Sequence, residues 1–335
     1  MLYDLRGLKK IYSGRTVLDL PELSFQKGKI YGLLGPNGSG KTTLLSILGF
    51  LNIPSAGDLF YNGRRVSFTE KDLLPFRKEV VVVDQHPILF STTVYKNVEF
   101  GLKVRQVPKF RRSRIIQASL ERVGMRDFMH ARGGELSGGE NQRVAIARAL
   151  ACSPRVMLFD EPTASVDVNH QMVIEEIIRD LHSREGISII LSTHNLSQAA
   201  KLVQEKIYLF EGRASAFTHE NIYHGPVITE GGRRYCLVRE KFPFPVNGVE
   251  DGPVKISIDP ASIEIRNVAR APGRSEEWLN GRIYQLTLER DRIRILVDVG
   301  IPLNILSSAG ACADMNLSIG ESVQIRCPKK AVAVI

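Results

Sequence analysis

Short apolar runs recur through the first two thirds of the chain and alternate with stretches whose apolar residues fall at helical spacing. Lys29-Ile30-Tyr31-Gly32-Leu33-Leu34, Val80-Val81-Val82-Val83, Val156-Met157-Leu158-Phe159 and Ile187-Ser188-Ile189-Ile190-Leu191 predict strands buried on both faces. Thr43-Leu44-Leu45-Ser46-Ile47-Leu48 continues at helical period, and Val173, Ile174, Ile177, Ile178 and Leu181 are expected to share one helix face. Such alternation predicts an α/β core around a largely parallel sheet. Residues 1 to about 30 read differently, as short alternating strands (Val17-Leu18-Asp19-Leu20, Leu23-Ser24-Phe25) split by turn residues.

Near residue 211 the texture changes. Glu211-Gly212-Arg213 reads as a turn, and beyond residue 225 long helical patterns give way to short β-like runs. Examples are Arg234-Tyr235-Cys236-Leu237-Val238, Val254-Lys255-Ile256-Ser257-Ile258 and Ile293-Arg294-Ile295-Leu296-Val297, punctuated by Gly, Pro, Asn and Asp. They predict a small all-β, barrel-like domain of roughly 110 residues. The expected division is 1–220 and 221–335.

Composition narrows the class. The 335 residues are 43% hydrophobic and 24% charged, which excludes a disordered chain, a collagen-like repeat and a disulfide scaffold. No apolar run approaches bilayer-spanning length, and the first residues lack a signal-peptide profile, so a cytosolic location is expected. Cys152, Cys236, Cys312 and Cys327 lie far apart, which disfavours a zinc site or a structural disulfide. The net charge of +9 admits nucleic acid, nucleotide phosphates, oxyanions or an anionic membrane. The basic patch Lys109-Phe110-Arg111-Arg112-Ser113-Arg114 reads as the solvated start of an amphipathic helix, and no nucleic-acid partner is expected.

Gly35-Pro36-Asn37-Gly38-Ser39-Gly40-Lys41-Thr42 fits the phosphate-loop pattern G-x-x-x-x-G-K-[ST], with a strand entering and a helix leaving. Its glycines let backbone N–H groups converge on one anion, and the helix start adds positive potential. Lys41 is expected to reach the β- and γ-phosphates of ATP, and the Thr42 hydroxyl to ligate Mg2+. GTPases, small-molecule kinases, recombinase-like motors and transport ATPases all share such a loop; the missing Asn-Lys-x-Asp motif counts against a GTPase. Asp160 and Glu161 close an apolar strand, suiting a Mg2+ ligand and a base for the attacking water. Leu136-Ser137-Gly138-Gly139-Glu140 opens an Ala-rich helix and offers a second anion cradle. One nucleotide does not need two cradles from one chain. Two copies placed head to tail, each giving one phosphate loop and one Ser-Gly-Gly loop to each ATP, satisfy both, which predicts a homodimer.

These segments, in this order, resemble the ATP-binding subunits of ABC transporters over residues 1 to about 215. The resemblance implies a P-loop ABC-type ATPase domain with an antiparallel β subdomain and a helical subdomain. Tyr12 then resembles the aromatic residue that stacks on adenine. Thr43 joins residues 35–42 at the nucleotide, and Ser137, Gly138, Gly139 and Glu140 serve it from the opposite chain. Gln85 matches the glutamine that touches Mg2+ or water and senses the membrane partner. Ser165-Val166-Asp167 matches the D-loop, and His194 the switch histidine at the γ-phosphate. The implied catalytic set is Glu161, His194, Gln85 and Lys41; the metal set is Thr42, Gln85 and Asp160.

Glu140 departs from the glutamine commoner in the family; with Ser137, Gly138 and Gly139 intact activity is expected to survive, and the hypothesis its charge raises is a tuning of nucleotide affinity or dimer closure. Residues 86–95, after the Q-loop, resemble the region that cradles a permease's coupling helix, which implies integral-membrane permease subunits and, indirectly, an external substrate-binding protein. The C-terminal part resembles the accessory oligonucleotide/oligosaccharide-binding-like (TOBE/MOP-like) domains of importer ATPases. Residues 86–103 and Glu140 resemble tungstate-type transporters, with molybdate the near alternative. Ser307 and Ser308 are considered as an oxyanion site on the tail, against an ordinary turn. The rival classes are a soluble ABC protein acting on ribosomes or DNA, and an oxyanion-sensing regulator.

Overall fold

The computed structural model describes residues 1–164, 166–193, 202–215, 221–267, 278–289, 292–315 and 317–335. It divides into two compact units, Met1–Ser215 and Ala216–Ile335.

In the first unit the chain runs β1 (Tyr3–Tyr12), β2 (Arg15–Phe25), β3 (Ile30–Leu34), α1 (Lys41–Leu48), β4 (Ala56–Tyr61), β5 (Arg64–Arg65), α2 (Glu70–Glu79) and β6 (Val80–Val83). It continues α3 (Val94–Val104), α4 (Lys109–Arg122), α5 (Gly138–Leu150), β7 (Val156–Asp160), α6 (Val168–Glu185), β8 (Ser188–Thr193), β9 (Glu205–Phe210) and β10 (Arg213–Ser215). The central sheet has the order β10-β9-β3-β8-β7-β6. Five of its strands are parallel, and β10 returns antiparallel on β9. A four-stranded antiparallel sheet, β2-β1-β4-β5, accompanies it.

Alternation along the parallel strands explains the layering. Ile30 and Leu34 of β3, Met157 and Phe159 of β7, and Ile189 and Leu191 of β8 join a core with Val98, Leu120, Ile146 and Ile178 of the four helices α3 to α6. Their neighbours Tyr31, Leu33, Val156, Leu158 and Ile190 point the other way, into a core with α1 and the antiparallel sheet. Parallel strands covered on both faces must be apolar throughout, which is why they were legible.

Two local expectations are corrected. The first thirty residues form two long paired strands, not short pieces. Pro21 has no N–H to donate, and the ladder passes it, pairing Arg6 with Glu22 and Leu8 with Leu20, while Gly7 between them takes φ +55°. On α6, Ile174, Ile177, Ile178 and Leu181 are buried, but Val173 is 38% exposed because it falls one position outside that stripe. In α4 the basic start is solvated and Ile116 and Leu120 face inward.

The second unit is all-β apart from helix Ala309–Met315 and a short turn of 3-10 helix, among the described residues. Its strands are β11 (Asn221–Glu230), β12 (Arg233–Val238), β13 (Phe242–Pro245), β14 (Pro253–Ile258), β15 (Glu264–Asn267), β16 (Leu279–Glu289), β17 (Arg292–Asp298), β18 (Pro302–Ser308), β19 (Ser322–Arg326) and β20 (Val332–Val334). They make two five-stranded antiparallel sheets, β13-β12-β11-β14-β20 and β15-β19-β16-β17-β18, around one core that includes Phe244, Ile256, Ile295 and Ile325. Buried Asn221 stitches the sheets together. Its amide donates to the carbonyl oxygens of Ile258 (3.2 Å) and Asn304 (2.8 Å), and its Oδ1 accepts from the Asn304 N–H.

Candidate nucleotide site

Strand β3 is buried along its whole length and delivers the chain into the glycine-rich loop at its C-terminal edge. Gly35 takes φ +147°, and a Cβ there would fall 2.1 Å from the Leu209 carbonyl oxygen, so no larger residue fits. The Ser39 hydroxyl is buried without a hydrogen-bond partner among the described residues. Helix α1 follows with no side-chain cap and no acidic residue in its first turn, leaving its N–H groups for an anion. Lys41 is buried, and its Nζ donates to the carbonyl oxygens of Gly35 (2.9 Å) and Pro36 (3.1 Å). Burial depresses its ammonium pKa, while Glu161 and Asp160 pull it back up. Thr42 is exposed at the loop's mouth and Thr43 half-buried.

Strands β3, β7 and β8 end side by side, so their C-terminal edges assemble the rest of the site. Asp160 is the last residue of β7, and one of its oxygens accepts from the Ser192 hydroxyl of β8. Glu161 takes a left-handed backbone, φ +43°, and its Oε1 lies 3.8 Å from the Lys41 ammonium. A carboxylate beside a buried lysine, at the mouth of an anion-binding loop, is suited to hold or deprotonate water next to a phosphate. Gln85 lies half-buried two residues after β6.

The Ser137 segment is built separately, at the start of α5. The Glu140 carboxylate accepts from both the Ser137 N–H and the Ser137 hydroxyl, each at 2.8 Å, and Ser137 caps the Glu140 N–H in return. These bonds hold the Glu140 carboxyl below its usual range. Gly139 lies against His170, where a Cβ would fall 2.4 Å from the ring. The His170 Nδ1 bonds Asp167, which caps α6 through the Asn169 and His170 N–H groups. The structure therefore brings together Lys41, Asp160 and Glu161, whereas Ser137 and Glu140 bond each other. Tyr12 is 43% exposed; its hydroxyl bonds Asn52, and the Lys10 ammonium sits 4.7 Å from its ring centre. His194 and Ser165 lie outside the described residues.

Several contributors escaped the sequence reading. Gln142 and Arg148, on α5, donate to the carbonyl oxygens of Asp84 and Ile88 and so hold both ends of the segment around Gln85. Buried Asn97 bonds the backbone of Phe90, Thr92 and Thr93. Ser192 touches both carboxylate residues. For Asn97, a polar residue on the apolar face of its helix was the available signal. In the tail, Ser307 and Ser308 close β18 rather than a loop, and the Ser308 hydroxyl accepts from the Ala311 N–H.

This geometry, a phosphate loop beside paired carboxylates and a separate Ser-Gly-Gly helix start, defines a nucleotide-hydrolysing class, and residues 18–164 match the model of the ABC transporter family. The tungstate uptake system ATP-binding protein TupC of Peptoclostridium acidaminophilum is 37% identical over 213 residues, 64% of this chain and 96% of that protein. The spermidine/putrescine import ATP-binding protein PotA of Oleidesulfovibrio alaskensis is 30% identical over 326 residues, 90% of this chain and 86% of that protein. A solved ATP-binding cassette, a dimer in a post-hydrolysis state bound to ADP and Pi, superposes with TM-score 0.60 at 28% identity, covering 64% of this chain and 97% of that one. The chain belongs to the ABC transporter family: it is an ATP-binding subunit and an ATPase. No helix among the described residues is long and apolar enough to cross a membrane.

Proposed function

We propose that the chain is the ATP-hydrolysing subunit of an importer for a tetrahedral oxyanion, tungstate before molybdate, working as a homodimer beneath permease subunits on the cytoplasmic face of the membrane. The observation that carries this cargo is the 37% identity to TupC over nearly all of that protein. ATP-binding proteins for methionine import, Fe(3+) ion import and glutamine transport lie at 31%, 34% and 35%, so the cargo needs its own experiment. One observation favours a second reading, polyamine import: the PotA match extends to 90% of this chain, whereas the TupC match covers 64%.

Lys41 leaves the Gly35 and Pro36 carbonyls to donate to the transferring phosphoryl group, and Glu161 holds the attacking water and accepts its proton. Ser137, supplied by the opposite chain, donates to the γ-phosphate; Gln85 and His194 position water and phosphate. Tyr12 stacks on adenine. Thr42, Asp160 and Gln85 would hold Mg2+, and a hydroxyl, a carboxylate and an amide oxygen are the hard donors that ion accepts. When bound, the ion would neutralise charge on the phosphate groups.

A permease partner is supported by an exposed apolar cluster beside Gln85. Ile88 is 83% exposed and Val104 66%, and the half-exposed rings of Phe90 and Phe100 meet at 4.8 Å. A cavity of about 130 Å3 bordered by Asp84, Pro87, Phe100 and Arg148 adjoins it. Exposed apolar residues grouped in this way support a docking face for a partner. The test is ATPase activity of the chain reconstituted with its permease and binding protein. Stimulation by tungstate-loaded binding protein supports the first reading, and stimulation by spermidine alone overturns it. Titrating tungstate into the full chain tests the tail separately; no heat of binding removes Ser307 and Ser308.

A further inference from the structure

Ser192 lies at the end of β8, directly opposite Asp160 in the parallel ladder. It is fully buried. Its hydroxyl donates to Asp160 Oδ1 and accepts from the Glu161 N–H at 2.9 Å. One oxygen atom therefore spans two adjacent residues with different tasks. It engages only one carboxylate oxygen of Asp160. It also satisfies a buried peptide N–H whose residue sits at φ +43°, a strained conformation for a non-glycine residue that persists only where its surroundings impose it. In that conformation the Glu161 side chain reaches Lys41.

We infer that Ser192 is a positioning residue for ATP hydrolysis: its hydroxyl orients the Asp160 carboxylate and pins the Glu161 backbone in the turn that aims Glu161 at the phosphate loop. Its neighbours on β8, Ile189, Ile190 and Leu191, are apolar and serve the two cores. An apolar residue at 192 would leave the Glu161 N–H without this acceptor and remove the hydroxyl that fixes Asp160 Oδ1, letting the carboxylate turn. The inference rests on the roles proposed above for Asp160 and Glu161, and adds the group that sets both.

Thr and Val have nearly the same volume and differ by the hydroxyl, so Ser192→Thr and Ser192→Val isolate it. Two quantities are read: kcat against KM for ATP, and the Mg2+ concentration giving half of the ATP-dependent rise in Tm. Ser192→Val is expected to lose about tenfold in kcat with KM for ATP little changed, and to need several-fold more Mg2+, while Ser192→Thr rescues both. Equal behaviour of the two variants overturns the inference. If the extra methyl prevents folding, Ser192→Ala replaces the pair, and an unchanged kcat and Mg2+ requirement overturn it equally. Asp160→Asn and Glu161→Gln run alongside. If both turn over normally, the underlying reading has failed; if both are inactive while Val matches Thr, only the part given to Ser192 has failed.

Discussion

At the scale of single residues, Glu161 and Glu140 show one functional group in opposite situations. Glu161 faces a buried ammonium at 3.8 Å; Glu140 faces the N–H and hydroxyl of its own helix cap. Glu161→Gln keeps the shape and loses the base, so ATP is expected to bind with near-normal affinity while turnover falls by about 100-fold or more. Normal turnover would remove Glu161 from its task. Glu140 occupies the Ser137 hydroxyl that the γ-phosphate is proposed to use, and Glu140→Gln lowers the charge competing for it. ATP is then expected to bind the paired state more tightly, seen as a lower ATP concentration for dimer formation by light scattering; an unchanged concentration refutes the competition. Acid supplies a separate check. The folded carboxyl lies below the ordinary 4.5, so its stabilising contribution is whole above that value and fades as pH falls through the folded value. The Tm of wild type should therefore drop more steeply below pH 4.5 than that of Glu140→Gln.

Between elements, the determining contacts are polar staples on an apolar frame. Asn97 of α3 is fully buried and holds four hydrogen bonds to the backbone of residues 90–93, just beyond Gln85. Asn97→Ala strands those backbone groups and is expected to cost about 1–3 kcal/mol, with a corresponding loss of Tm. A Tm within experimental error of wild type would show that water replaces the staple. The staples also explain what could be read in advance. Strands β3, β6, β7 and β8 were visible because burial on both faces demands apolar residues throughout. The phosphate loop and Ser137-Gly138-Gly139 were visible because anion cradles need particular residues in contiguous order. Ser192 was not: parallel pairing brings it to Asp160 across 32 positions, and no local pattern marks a lone serine for that. The long β1–β2 pair was hidden because Gly7 and Pro21, read singly, look like breaks, and only opposite each other do they let the ladder continue.

For the whole molecule, the two anion cradles set the stoichiometry. The α1 start lacks any side-chain cap and keeps Lys41 on its own loop carbonyls. The α5 start has already accepted an anion, the Glu140 carboxylate of its own first turn. In the arrangement proposed above one ATP molecule bonds both cradles by bridging two copies, and its binding then favours pairing. Turnover per chain should then fall on dilution, because the fraction of paired chains falls with concentration at fixed ATP. Glu161→Gln with ATP, which cannot discharge the bridge, should elute at twice the mass of the same variant without nucleotide. A chain confined to the monomer, by dilution verified with mass photometry, should bind ATP at its phosphate loop yet show little hydrolysis, because Ser137 of the opposite copy is missing from the γ-phosphate. Specific activity that stays constant down to concentrations where only single chains are counted would mean that one chain completes its own pocket, and the bridging role of the Ser137 segment would have to be abandoned.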